Sequence, residues 1–426
     1  MPSSLRELRP LALIGIGRPP DPPPTPAQSE TNIRLLVWEM TWYGILVGTT
    51  VNFLQLFVVR LGAPGLLVSA ITFGPALVSI VWQLPASRLM GQTGHRMRWV
   101  LGSLFSHRAV YLAIALLPIF MSARLAELTV FLLILQAIPL TTSSTSFLSM
   151  LADAVPPRRM PQVVGWRMAG LGLTSTLATL AAGRVLQWLP FPGNYQVLFI
   201  VGWLTSMVSV WWVSKLCVPD RQTEPQHGEP WGGKLHRVFR YPGYGFFVAG
   251  VGMLNLALGM IAPLLPLFWV RTLGATDGQI SVIVTVGSGA MVVGSLLMRR
   301  AVSKVGRERA LAAGTLGYAL YPLLTSLSPG VWWLIPWAAL SGLFVAAIYV
   351  TLFDNLVAVT PDEDRTGYIA VFNIAANVAL VAGPLIAGLL ARRSDGLTVG
   401  LQVTAAVALA AGIMFALRRP QRAVQP

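Results

Sequence analysis

Long apolar runs separated by short polar segments dominate the sequence. Twelve of these runs are long enough to cross about 30 Å of hydrocarbon as α-helices. In the first half they cover residues 38–59, 65–86, 99–120, 128–150, 163–187 and 195–217. In the second half they cover residues 244–270, 278–299, 309–328, 331–353, 366–390 and 398–417. The pattern predicts an all-α integral membrane protein with 12 transmembrane helices, because a backbone in lipid must satisfy its hydrogen bonds internally.

The low content of charged residues agrees with a membrane location. Charged residues make up 11% of the chain and hydrophobic residues 54%, whereas a soluble domain usually carries about a quarter charged residues. Lys and Arg number 31 against 16 Asp and Glu, but the basic residues lie at the ends of apolar runs, so no nucleic-acid partner is expected. Most of them lie on one side of the predicted membrane, and the positive-inside rule then places both termini in the cytoplasm. We expect a multi-pass protein of the plasma or inner membrane, with the lipid bilayer as its surroundings.

Polar segments divide the chain into five parts. Residues 1–34 contain a Pro-rich stretch that cannot form a helix, which predicts a disordered cytoplasmic arm. A stretch with charges of both signs predicts a cytoplasmic central loop over residues 218–242. Six-helix bundles are predicted over residues 35–217 and 243–418, followed by a cytoplasmic tail over residues 419–426.

Residue types that usually carry metals or chemistry are sparse. Cys217 is the single cysteine, and the four histidines show no ligand spacing on one helix face. The apolar runs contain no His/Asp/Glu cluster and no paired nucleophile and base. We therefore expect no metal, no cofactor and no enzymatic activity.

The two halves of the chain resemble each other at constant offsets. The tripeptide Leu61-Gly62-Ala63 follows the first run, and Leu273-Gly274-Ala275 follows the seventh, 212 residues later. Further along, Gly183 corresponds to Gly388 at an offset of 205 residues. Constant offsets across whole helices predict two parallel six-helix repeats, related by an axis along the membrane normal.

The loop after the second helix of each repeat carries a motif of a known family. The first copy reads Ser87-Arg-Leu-Met-Gly-Gln-Thr-Gly-His-Arg-Met-Arg98, and the second reads Arg299-Arg-Ala-Val-Ser-Lys-Val-Gly-Arg-Glu-Arg309. With the paired repeats, these loops resemble the G-x-x-x-D-R-x-G-R-[KR] motif of the major facilitator superfamily. The residues that match or flank the motif, and that the resemblance assigns to the cytoplasmic gate, are Arg88, Gly94, Arg96, Arg300, Gly306 and Arg307. The acidic motif position is Gly91 in one copy and Ser303 in the other, so the usual carboxylate latch is absent.

The fifth and eleventh runs are rich in small residues, which let helix backbones approach closely in lipid. The eleventh contains Gly383-Pro384, which partly matches a pattern of exporters in the family. The fifth run has no such proline, so the exporter assignment does not follow. We expect the proline to bend a packing helix.

The resemblance implies a transporter with a central cavity between the repeats that opens alternately to each side. In this family the first, fourth, seventh and tenth helices line the cavity, with contributions from the second, fifth, eighth and eleventh. Polar and aromatic residues near the middle of these helices are the candidates for solute contact, with interhelical hydrogen bonding as the alternative. They are Asn52, Gln55, Gln136, Thr142, Asn255, Tyr349, Asn373 and Asn377.

Four charged residues near or within the helices are candidates for coupling or gating. Arg108 lies nearly three turns into the third helix, and it either snorkels to the inner side or pairs with a carboxylate, which we favour. Glu39 is expected at the inner end of the first helix, where it is a candidate proton site. Asp153 and Asp354 are expected at the inner ends of the fourth and tenth helices, either as interfacial charges or as partners of the gate arginines. No carboxylate is expected at the centre of a helix.

The leading interpretation is a secondary transporter of a small organic solute, with protons as a candidate coupling ion. Export of an amphipathic, drug-like compound is favoured, because the predicted cavity is apolar with scattered amides and aromatic residues. A sugar or metabolite importer is the alternative within the class. A non-transporting receptor or scaffold on the same fold is a further alternative, and a monomer is expected.

Overall fold

The computed structural model describes residues 25–93, 96–121, 123–218, 243–360 and 365–417. Most of the predicted Pro-rich arm, most of the central loop, the tail and Gly94 lie outside the described residues. Within those ranges, the regular secondary structure is helical and contains no strand.

Twelve helices follow one another along the described chain. Helix α1 covers Pro26–Arg60 and contains a π-helical segment, Val47–Val51. The remaining helices of the first half are α2 (Gly65–Thr93), α3 (Arg96–Phe120), α4 (Leu125–Ala154), α5 (Met160–Trp188) and α6 (Gly193–Ser214). Those of the second half are α7 (Tyr244–Leu267, continued by the π-helical segment Phe268–Thr272), α8 (Asp277–Val305), α9 (Arg307–Ser326), α10 (Leu334–Val359), α11 (Arg365–Leu390) and α12 (Gly396–Leu417). The predicted all-α fold is confirmed.

Eleven of the described helices are long and apolar enough to cross a membrane, judged by length and composition. The remaining helix is α9, which begins with Arg307, Glu308 and Arg309. These charges shorten the uncharged part of a helix that has only 20 residues. The helix still packs against α10 and α12 as a member of the bundle.

Helix α1 begins earlier than the sequence predicts. The predicted arm extends to residue 34, whereas the helix starts at Pro26. Thr25 and Gln28 form a capping box, and a proline in the first turn costs no hydrogen bond, so the polar start is stable. The side chain of Asn32 also holds the helix start, since its amide donates to the carbonyl of Cys217 over 2.8 Å.

Helix pairs recur between the two halves. Helix α1 packs against α6, and α3 packs against α4 and α6. The repeat-equivalent pairs also pack, since α7 contacts α12, and α9 contacts α10 and α12. These three pairings recur at equivalent positions in the two halves, as two six-helix repeats predict.

Small residues make the closest helix contacts, as expected for α5 and α11. A Cβ at Gly170 of α5 would lie 2.6 Å from Thr41 Oγ1 of α1. Thr174 of α5 donates a hydrogen bond to the carbonyl of Thr41 over 2.8 Å. In α11, Pro384 packs against Gly259 of α7, where an added Cβ would lie 2.9 Å from the proline ring. The close approach of both helices to their neighbours therefore requires glycine, which has no side chain, at these contacts.

The chain divides into two compact units, and the boundary does not coincide with the repeat boundary. The first unit contains residues 1–53, 77–178 and 190–227. The second unit contains residues 54–76, 179–189 and 228–426. The end of α1, the start of α2 and the end of α5 therefore group with the second repeat.

Candidate functional site

A buried ionic cluster lies inside the first unit. It consists of Glu39 from α1, Arg108 from α3 and Arg167 from α5, which are 5%, 1% and 6% exposed. Because α1 begins at Pro26, Glu39 lies more than three turns inside the helix and not at its end. The expectation that Glu39 sits at the helix end was therefore wrong, because hydropathy does not detect the polar first turns of α1.

Glu39 is shared between the two guanidinium groups. Its Oε2 atom accepts a hydrogen bond from Nη2 of Arg167 over 2.9 Å. Its Oε1 atom lies 3.9 Å from Nη2 of Arg108 and accepts a hydrogen bond from Ser209 of α6 over 3.2 Å. Arg108 also donates to the carbonyl of Ser206 and lies 5.2 Å from the ring centre of Tyr43. Arg108 thus pairs with a carboxylate, which is the interpretation favoured from its depth.

The guanidinium of Arg167 has weaker additional partners than that of Arg108. It lies 4.9 Å from the ring centre of Phe147, and its Nη2 atom lies 3.7 Å from the sulfur of Met40. The Nε atoms of both arginines are buried and have no acceptor among the described residues. The described ion pairs place one carboxylate beside two guanidinium groups, so the cluster carries a net charge of +1.

The predicted solute contacts fall into three groups by burial. Gln136 and Thr142 are buried, Gln55 and Asn255 are half-buried, and the exposed group contains Asn52, Tyr349, Asn373 and Asn377. Gln136 donates to the carbonyl of His107 over 2.8 Å, which is the interhelical bond that the sequence left as the alternative. Thr142 donates to its own helix at Ile138 and accepts from the indole of Trp82 over 3.0 Å.

The half-buried amides have local partners. Gln55 donates to the hydroxyl of Thr72 in α2 over 2.9 Å. Asn255 donates to the carbonyl of Val251, one turn earlier in α7. The exposed amides Asn373 and Asn377 lie four residues apart and therefore on one face of α11.

The predicted gate residues are only partly described. Positions 88, 96 and 300 lie on helices, but their side chains are outside the description. Gly306 has φ +89°, a left-handed value that favours glycine, where α8 ends and α9 begins. Arg307 and Asp354 are exposed and line a cavity of about 670 Å³ together with Val302 and Phe353. Asp153 is half-buried near the end of α4.

A second polar feature, absent from the sequence interpretation, lies in the second unit where the two Leu-Gly-Ala turns meet. Arg60 donates to the carbonyl of Ala275 over 2.5 Å, and Arg271 donates to the carbonyl of Ala63. The two alanines are equivalent in the repeats, so the contacts are reciprocal. Arg60 also forms an ion pair with Asp277 over 2.8 Å.

Two glycine–serine contacts continue this reciprocal pattern. Gly183 of α5 lies so close to Ser281 of α8 that a Cβ would overlap the hydroxyl. Gly388 of α11 lies near Ser69 of α2 in the same way, and a Cβ there would lie 2.7 Å from the hydroxyl oxygen. The glycines are separated by 205 residues and the serines by 212, so the repeat operation exchanges the two pairs. We call the arginine and glycine–serine contacts together the reciprocal clasp.

Sequence reasoning missed Arg167 and the reciprocal clasp. Arg167 lies four residues inside the predicted run 163–187 and there looks like an interfacial end charge. The one signal that could have revealed it is the position of Glu39 and Arg108 in neighbouring helices, since buried charges in lipid need partners. For the clasp, the matching glycine and serine offsets were available in the sequence.

The family model described as Major Facilitator Superfamily matches residues 246–426. No curated protein matches the chain. Among solved structures, a point mutant of the nucleoside transporter NupG has a TM-score of 0.70 at 11% identity, covering 91% of this chain and 99% of that chain. The xylose transporter XylE from E. coli, in an inward open conformation, has a TM-score of 0.66 at 13% identity and covers 93% and 97%.

A third similar structure is a bacterial homologue of the human lysosomal transporter Spinster in an inward-facing and occupied conformation. It has a TM-score of 0.70 at 12% identity and covers 91% of this chain and 96% of that chain. At 11–13% identity, this likeness shows that the chain shares the helical fold of these three structures. The family model itself matches the second half of the chain, residues 246–426.

Proposed function

We propose that the protein is a secondary active transporter that moves a small organic solute across the cell membrane by alternating access. The observation that carries this proposal is the buried ionic cluster of Glu39, Arg108 and Arg167. Charged side chains inside transmembrane helices are costly and are retained mainly on substrate or ion pathways. A cluster of three on neighbouring helices, in a fold shared with transporters, is therefore best explained by transport.

Glu39 is the proposed proton site. It is buried, it accepts hydrogen bonds from Arg167 and Ser209, and it lies next to Arg108. Loss of its charge on protonation would free both guanidinium groups to change partners. One carboxylate can thus link a proton to a rearrangement of α1, α3 and α5.

The solute path is proposed to include the exposed polar residues of the transmembrane helices. An amide that faces hydrocarbon costs free energy, so the pair Asn373 and Asn377 on one face of α11 fits a water-filled path better than a lipid-facing surface. Asn52 is exposed on α1 and is assigned to the same path. Tyr349 is exposed and could stack against an organic solute. The buried and half-buried candidates support this path through their helix contacts; they are Gln55, Gln136, Thr142 and Asn255.

Gating is proposed at both ends of the helices. Arg88, Gly94, Arg96, Arg300, Gly306 and Arg307, together with Asp153 and Asp354, would form the gate on the cytoplasmic side. The reciprocal clasp would close the opposite side. These assignments follow the proposed orientation, with both termini in the cytoplasm of a plasma or inner membrane and the chain acting as a monomer.

Two directions of transport are candidates. Export of an amphipathic, drug-like compound fits the apolar helices with scattered amides and aromatic residues. Import of a sugar or metabolite fits the buried charges, which are more suited to a polar solute.

Proton-linked transport can be measured with purified protein in liposomes under an imposed pH gradient. Solute-dependent proton movement is expected for the wild type, and Glu39→Gln should abolish it while solute exchange between the two sides continues. The variant Glu39→Asp keeps the carboxylate and should retain part of the proton coupling. It is the folding control, because loss of proton movement in both variants would indicate misfolding. Unchanged proton movement in Glu39→Gln would rule out Glu39 as the proton site.

A further inference from the structure

The charge of the ionic cluster is unbalanced. Arg108 and Arg167 are almost completely buried, and Glu39 is the single carboxylate that the described ion pairs place beside them. Burying an ion is costly unless an opposite charge and hydrogen bonds compensate for it. The two guanidinium groups share one carboxylate, so the described ion pairs leave one buried positive charge without a carboxylate of its own, and the cluster can accept a second anion.

Arg167 is the guanidinium better suited to bind it. Arg108 is held by the carbonyl of Ser206 and the ring of Tyr43, whereas the further partners of Arg167 are the ring of Phe147 and the sulfur of Met40. Its Nε atom, like that of Arg108, is buried without an acceptor among the described residues. The surroundings of this guanidinium are thus apolar with unused donors, which matches a ligand with an anionic group on an apolar body.

We propose that the solute is an amphipathic organic oxyanion, whose anionic oxygen atoms bind Arg167 while its apolar body packs against Phe147 and Met40. A guanidinium presents parallel N–H groups that fit the paired oxygens of a carboxylate, a sulfonate or a phosphate ester. This inference rests on the proposed transport function and specifies the class of its solute.

The position of Glu39 sets the sign of the proton linkage. The carboxylate and the solute anion compete for the same guanidinium groups, so protonation of Glu39 strengthens solute binding. By reciprocity, solute binding strengthens proton binding, and the two move in the same direction. Under an inward proton gradient this favours import over export. Among the described residues, Arg108, Arg167 and Tyr43 interact with Glu39 itself. His107 and Tyr111 of α3 interact with Arg108.

The anion site can be tested with benzenesulfonate and its neutral analogue benzenesulfonamide. The sulfonate remains ionised at all relevant pH values, so its own titration does not interfere. At saturating concentration it should raise the Tm of the full-length protein in detergent by about 2–4 °C. The sulfonamide should produce no shift. Equal shifts for the two compounds would overturn the proposal.

A second measurement needs no ligand. Met40 lies beside the guanidinium of Arg167, so Met40→Glu supplies an internal carboxylate, and Met40→Gln is its neutral match in size. The Glu variant should have a higher Tm than the Gln variant and should lose the response to sulfonate. A Glu variant that is no more stable than the Gln variant would show that the cluster has no capacity for a second anion. Proton-linked transport that persists in that case would leave the proposed function intact.

Discussion

At the scale of single residues, the partners of a buried charge decide what it contributes. Glu30 and Glu39 both lie in α1. Glu30 pairs with Arg159, which lies just before α5, and Glu39 pairs with Arg167 in α5. The side chain of Glu30 is 43% exposed and that of Glu39 is 6% exposed. Water can replace the partner of Glu30, but it cannot replace the partners of Glu39.

Neutralising these two carboxylates should therefore have very different effects. Glu39→Gln leaves two buried guanidinium groups without a carboxylate, and we expect it to destabilise the protein by about 3–5 kcal/mol. Glu30→Gln removes an exposed ion pair and should cost about 0–1 kcal/mol. Thermal unfolding of the two variants in the same detergent measures the difference, and similar losses of Tm would contradict the burial argument.

The sequence predicted the position of Arg108 well and that of Glu39 poorly. An arginine in the middle of an apolar run is visible from hydropathy alone. A carboxylate near the start of a helix is not, when the first turns of that helix are polar and are held by a capping box and by Asn32. Arg167 was missed for a similar reason, because it lies near the start of its run. Only the contact between helices distinguishes a buried partner from an interfacial charge.

At the scale of helices, glycine determines how closely α5 approaches its neighbours. Gly183→Ala should overlap Ser281 and destabilise the protein by about 1–3 kcal/mol. On the same helix, a Cβ at Gly165 meets nothing within 4 Å. Gly165→Ala is thus the matched control, and it should be neutral or stabilise by up to about 1 kcal/mol through helix propensity.

A compensating change tests the same contact. Combining Gly183→Ala with Ser281→Gly should restore the Tm, since the space taken by the new methyl group is released on α8. Failure of the double variant to recover would mean that the loss in Gly183→Ala arises elsewhere than at Ser281.

The π-helical end of α7 absorbs one extra residue. Arg60 immediately precedes its Leu-Gly-Ala turn, whereas Thr272 separates Arg271 from the equivalent turn. A π-helical turn accommodates one inserted residue without rotating the rest of the helix, and the segment Phe268–Thr272 lies at this point. Both arginines can therefore reach the opposite turn.

Deletion of Thr272 should accordingly be tolerated, because it places Arg271 directly before its Leu-Gly-Ala turn, as Arg60 is in α1. Deletion of Gly252 in the regular part of α7 should rotate everything after it by about 100° relative to the preceding turns. We expect the first deletion to keep most of the wild-type Tm and the second to prevent folding, as measured by expression and size-exclusion chromatography. Equal damage by both deletions would contradict the insertion argument.

At the scale of the whole molecule, the reciprocal clasp is the feature that transport should break and remake. It joins α1, α2 and α5 of the first repeat to α7, α8 and α11 of the second, and all of its residues lie in the second unit. The two repeats and their twelve helices could be predicted from sequence because they repeat at constant offsets. The clasp was not predicted, because it depends on which helix ends meet.

A disulfide across these helices should block transport. A Cβ at Gly65 would lie 2.7 Å from the Cβ of Ala391, and a shift of about 1 Å gives the spacing that a disulfide requires. In a Cys217→Ser background, oxidised Gly65→Cys/Ala391→Cys should lose solute exchange in liposomes and regain it with reductant. Full exchange by the fully oxidised protein would show that this contact stays closed throughout the cycle.

The buried ionic cluster also has a consequence for biosynthesis. The hydrogen bond between Glu39 and Arg167 joins residues 128 positions apart, so the ribosome must complete α5 before α1 receives this partner. For each of the helices carrying these charges, a charge at the bilayer centre costs about 2.5–3.5 kcal/mol when the helix enters lipid alone. The first helices are therefore expected to remain beside the insertion machinery, sheltered from acyl chains, until the fifth emerges.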